Sequence, residues 1–108
     1  MASFGDFKTE LESELKDLIQ KSWKAVSGQA LSDAQDFVKD SEADLQRWTS
    51  ALANHSLTEQ DFEFLLAAKK DVAELSALKE AGLAQVQLDR FINAVIGAVI
   101  NAATKTFV

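Results

Sequence analysis

The sequence predicts an all-α protein, a four-helix bundle in up-down-up-down antiparallel order, and three observations carry that prediction. Apolar residues recur at spacings of three and four along most of the chain, which places them on one face of successive helices. Proline is absent, so no helical run has to stop for want of an amide proton. The intervals between runs are short and hold the serine, asparagine and glycine that turns need. Short connections make successive helices antiparallel. Helices exchanged or shared between subunits of an oligomer fit the same pattern. The chain of 108 residues is one domain's worth, so a single helical-bundle domain over 1–108 is expected. Its helices are placed at about 6–26, 32–54, 58–81 and 84–105.

The first helix carries Phe4, Phe7, Leu11, Leu15, Leu18, Ile19 and Val26 in one stripe, with Ser3 or Asp6 at its start and Ser27 and Gly28 as its stop. Glu12 with Lys16, and Asp17 with Lys21, have the favourable acid-first i,i+4 order on the outer face. Trp23 lies at the stripe's edge and is expected to pack half-buried. In the second helix, Ser32 and Gln35 have the spacing of a capping box, and Ala34, Phe37, Val38, Ser41, Leu45, Trp48 and Leu52 form the stripe. It ends in a loop at Asn54, His55 and Ser56. The third has the clearest start, with Thr58 as N-cap, Asp61 three residues on and Leu57 placed to staple against Phe62. Its apolar residues, including Leu65, Leu66, Val72 and Leu75, spread more widely, and Gly82 is its natural stop.

The fourth helix is the most apolar. Leu88, Phe91, Ile92, Val95, Ile96, Val99, Ile100 and Ala103 cover about half its circumference at 100° per residue, and Ala94, Ala98 and Ala102 widen the arc. Only Arg90, Asn93, Gly97, Asn101 and Thr104 form a polar strip. Such a helix is expected to hold more apolar surface than its own companions can shelter. Phe91, Ala94, Val95, Ala98, Val99 and Ala102 are therefore the candidate oligomer or partner interface, together with Asn93, Gly97 and Asn101. Gly97 costs about 1 kcal/mol relative to alanine at a helix centre. Either a close helix crossing uses it, with Asn93 and Asn101 bonding across, or the strip faces water.

Composition excludes several classes of function. No cysteine means no disulfide, thiolate metal site or cysteine nucleophile. A net charge of −6 argues against nucleic acid, which needs clustered Lys and Arg. The run from Phe91 to Ala103 is too short for a membrane span of about 20 residues. The opening residues from Met1 to Phe7 lack the basic and apolar regions of a signal peptide. A soluble, cytoplasmic chain is expected.

Candidate chemistry is sparse. The single histidine, His55, falls in a loop, and Leu52 stands where a Glu-x-x-His metal motif needs a carboxylate. Haem ligation would have to recruit His55 and Met1. A serine, histidine and acid triad has only His55 and its neighbour Ser56 to draw on. The glycines are scattered singly, so no phosphate loop exists. No cofactor and no catalytic residue are expected. Asp33, Asp36, Asp40 and Asp44 fall within about 80° of arc on the second helix, a candidate acidic docking face for a basic partner or a loosely held divalent cation, although a solvated face is the simpler reading. Lys69 projects into the apolar arc of the third helix, where it would be a buried reactive amine, or run its stem over apolar surface to reach water, or meet a carboxylate of a neighbouring helix or subunit. The reading that follows is a non-catalytic bundle acting through self-association, most simply as a homodimer, and through protein binding. The alternative is an amphipathic bundle that binds lipid or another apolar ligand.

Overall fold

The computed structural model describes residues 2–108, with the side chain of Val72 left aside. Met1, the one conceivable thioether ligand, lies outside the described residues. The described residues form six α-helices: α1 Phe4–Ser22, α2 Ser27–Asp40, α3 Glu42–Ala53, α4 Glu59–Ala67, α5 Ser76–Glu80 and α6 Gln85–Phe107. Short 3₁₀ turns at Lys24–Val26 and Ala68–Val72 join them. No strand occurs among the described residues, and no helix is long and apolar enough to cross a membrane. The all-helical expectation therefore holds, and the molecule is elongated at 42 × 23 × 19 Å.

The start signals at both ends of the first half act as the spacing predicts. At α1, Asp6 N–H donates to Ser3 Oγ at 3.1 Å and Ser3 N–H donates back to Asp6 at 3.0 Å. At α4, Thr58 and Asp61 form the same reciprocal pair. The 54–56 loop is also as expected: Ser56 N–H donates to Asn54 Oδ1 at 3.0 Å, and His55 takes a positive φ of 65°.

Three boundaries differ from expectation, each for a tertiary reason. The first helix ends at Ser22 rather than near Val26 because Trp23 leaves helical geometry and sets its ring edge-on against Phe91, centroids 5.2 Å apart. Ser27 and Gly28, expected as a stop, lie instead in the first turn of α2, so the capping-box spacing of Ser32 and Gln35 goes unused inside a helix. The second helix is divided at Ser41 (φ −98°, ψ 2°), although Ser41 N–H still reaches Phe37 O and Leu45 N–H reaches Ser41 O. The result is a bend. Ser41 is buried there, and its hydroxyl has no hydrogen-bond partner among the described residues.

The largest departure is the third helix. In place of one run over 58–81, the chain leaves α4 at Ala67, makes a 3₁₀ turn, extends at Ala73 (ψ 113°), turns left-handed at Leu75 (φ 50°, ψ 42°) and restarts as α5. Helix propensity favours continuity here, so packing has overridden it. Leu75 and Leu78 are both buried, and α5 lies against α2. Gly82 ends the run as expected, at φ 93°.

α6 is the centre of the core and packs most extensively on α1. The two are antiparallel: Phe107 meets Phe7 at 6.1 Å near one end, and Phe91 meets Trp23 near the other. Lys105 of α6 donates to Glu14 at 2.6 Å and lies 3.4 Å from Glu10, both on α1.

Candidate functional site

The expected interface on α6 is core. Phe91, Val95, Val99 and Ala102 are fully enclosed and Ala98 nearly so, all within a single chain, and Ile92 and Ile96 are buried with them. The surplus of apolar surface inferred from the sequence does not exist. α1 presents Phe7, Leu11, Leu15 and Ile19 to the shared core, while α3 and α4 also contact α6, so the wide arc meets several neighbours at once. Ala94 and Gly97 are half-buried, and Asn93 and Asn101 are exposed. A Cβ built on Gly97 would meet nothing within 4 Å, so no close helix crossing inside the subunit explains the glycine.

The aspartate row is not one face either. Asp33 is only 4% exposed, and its two carboxylate oxygens accept from Ala77 N–H at 3.1 Å and Leu78 N–H at 2.8 Å. It caps α5 from more than 40 positions away in sequence, a role no local spacing announces. Asp36 and Asp40 are exposed and, with Asp33 and Glu74, line a cavity of about 240 Å³ beside the hinge leading into α5. Asp44 lies past the bend at Ser41 and is half-buried between two cations. It pairs with Arg47 at 2.6 Å and with Lys69. The Lys69 hydrogen bond, more than any other influence, holds the Asp44 carboxyl below its ordinary range, and Arg47 pulls the same way. Lys69 is thus the partner of a carboxylate. Its ammonium also sits 5.8 Å from the centre of the Trp48 ring.

His55 is exposed in its loop, and among the described residues no group of three or more histidines and carboxylates is placed to hold a metal ion.

The surface that stands out is a groove between α1 and α2. Leu11 and Leu15 form its buried floor, with half-buried Leu31 and Val38 on the α2 side. Lys8, Glu12, Lys39 and Glu42 rim it, and its volume is about 450 Å³. Lys8 closes one end by donating to Glu42 at 3.2 Å. Thr9, the one hydroxyl on its lining, is turned back to Gly5 O at 3.0 Å. The groove is not legible in the sequence when the second helix is taken to begin at Ser32, which leaves Leu31 outside it. The available signal was Leu31 and Val38 at i,i+7, which fall on one line once the helix starts at Ser27. A second cleft, about 550 Å³, lies between Phe4, Phe107 and the end of α3, with Gln46, Thr49, Ser50 and Asn54 along it.

Compared with known protein families, curated proteins and solved structures, the chain matches none of them.

Proposed function

We propose that the protein is a non-catalytic, cytoplasmic helical protein that works by self-association, with the α1–α2 groove rather than α6 as the contact surface and a second copy of the chain as its occupant. In this reading α2 with α3 forms one bent leg and α4 with α5 one broken leg, so the six helices trace an up-down-up-down bundle of four legs. The groove then lies along one side of that bundle.

The observation that carries the proposal is the groove's charge. The chain as a whole is strongly acidic at −6, which sets copies against one another. The groove rim, by contrast, balances Lys8 and Lys39 against Glu12 and Glu42 around an apolar floor. Such a rim is self-complementary under twofold symmetry, because each base can meet an acid of the other copy. Leu31 and Val38 supply the apolar ridge.

An apolar small molecule is the second reading, favoured by the groove's volume, which falls in the range of ligand pockets. Its open, trough-like shape suits a helix better than a free acyl chain, which needs enclosure on most sides. Sedimentation of wild type against Leu31→Asp and Val38→Asp separates the two. Self-association predicts a dimer at high micromolar concentration that either substitution weakens at least tenfold while the far-UV spectrum stays helical. A wild type that remains monomeric there, yet gains thermal stability from dodecanoate, would replace the first reading with the second.

A further inference from the structure

The broken leg between α4 and α5 holds two amides for which two sets of acceptors compete. In a continuous helix over 59–80, Ala77 N–H and Leu78 N–H would donate to the carbonyls of Ala73 and Glu74, four residues back. Here Asp33 takes both. The alternative helix is well encoded: no proline or glycine falls within 59–80, and Ala67, Ala68, Lys69, Lys70, Ala77 and Lys79 are strong helix formers. The bent form also contains local strain. Leu75 is a non-glycine residue in the left-handed region, where its Cβ crowds the backbone. Around the adjoining cavity, Glu74 on the hinge shares its lining with Asp36 and Asp40 on α2, so like charges push the hinge off the helix that holds it.

We infer that residues 68–75 are a hinge that Asp33 latches, and that releasing the latch lets 59–80 straighten into one helix which carries α6 into a second copy of the chain. A straight helix over this span is about 33 Å long. It cannot leave α5 on its own α2 or α6 in its own core. A second copy offers the same seats, emptied in the same way, so reciprocal exchange restores the buried contacts of α6 without the left-handed turn. The occupant is a second copy because the surfaces left uncovered are those that packed against α6 of this same sequence. The inference stands apart from the groove reading, since an exchanged dimer does not need Leu31 or Val38.

The test is Asp33→Asn in a Leu31→Asp background, which removes the groove contact. Asparagine keeps the shape but offers one acceptor oxygen where two were used. Light scattering after incubation at several hundred micromolar should show the dimer fraction raised several-fold over Leu31→Asp alone. The dimer should persist for hours on dilution, because separation requires unfolding, and ellipticity per residue at 222 nm should deepen as 73–75 become helical. Adding Ala73→Pro should return the protein to monomer. Proline matches the φ of −78° at Ala73 in the bent form, where it gives up only the Ala73 N–H bond to Lys70 O at 3.2 Å, and it blocks a continuous helix. A double mutant Leu31→Asp/Asp33→Asn that stays monomeric with unchanged ellipticity would overturn the inference. So would a dimer that Ala73→Pro leaves intact. Should the Asp33 variant not fold, Leu31→Asp and Leu31→Asp/Ala73→Pro refolded at the same high concentration decide it: slow-dissociating dimer only in the former supports exchange, and equal amounts refute it.

Discussion

The antiparallel pair α1 and α6 and the broken leg from α4 to α5 differ in how their helices are held. In α1 and α6 the apolar residues keep helical spacing from end to end, and each helix lies along the other. Phe7 meets Phe107 and Trp23 meets Phe91, with Lys105 tied to Glu14 between them. Local preference and packing agree, and the helices run uninterrupted. In the broken leg they disagree. Leu75 and Leu78 are buried beside α2, and a left-handed residue and a borrowed carboxylate stand where the helix would otherwise run on. Helix propensity amounts to tenths of a kcal/mol per residue, while a buried leucine is worth about 1.5 to 3 kcal/mol, which decides the contest.

The largest expected effect tests the α1–α6 half. Phe91→Ala should cost about 3–5 kcal/mol, because a fully enclosed ring leaves a cavity against Trp23. Chemical denaturation should show a cooperative loss of the whole fold. If Phe91→Ala instead altered only oligomeric state, α6 would be an interface after all and the contrast drawn above would dissolve.

Asp33→Ala probes the other half. It strips two buried or half-buried amides of their acceptor at a cost of about 1–3 kcal/mol. Hydrogen exchange should quicken at Ala77 and Leu78 before it quickens anywhere in α6. Uniform acceleration across both regions would mean that they unfold as one unit.

A smaller gain is expected at the bend between α2 and α3. Among the described residues the buried Ser41 hydroxyl has no partner, so Ser41→Ala should raise stability by about 1 kcal/mol, read as an upward shift in Tm. A loss would show that the hydroxyl is satisfied in solution.

The finest distinction is in pH. Asp44, paired with Lys69 of the broken leg, titrates below its ordinary range, so its contribution is present above about pH 4 and disappears as pH falls through the lowered value. Lys105 is raised, first by its hydrogen bond to Glu14 and then by that to Glu10, so its contribution is present below about pH 10 and disappears as pH rises through the raised value. Acid should therefore loosen the contact between α3 and the 3₁₀ turn after α4, and alkali the α1–α6 contact. Both effects should be small because the groups are solvent-screened. Trp48 fluorescence follows the acid limb, since that ring lies beside Lys69. Its insensitivity to Asp44→Asn would argue against the assignment.

Residues close together in sequence settled much of this protein. The reciprocal caps of Ser3 with Asp6 and Thr58 with Asp61, the stop at Gly82, the loop at His55 and the apolar arc of α6 are all written in spacings of three and four, because a helix brings such residues together whatever surrounds it. The same spacings could not say where that arc would be sheltered. Burial of Val95 and Val99, the capture of Ala77 and Leu78 by Asp33, the pairing of Asp44 with Lys69 and the groove between Leu15 and Leu31 all depend on segments distant in the chain. Only the packed molecule decides those, since side-chain volume and the need to satisfy buried polar groups act across space rather than along the backbone.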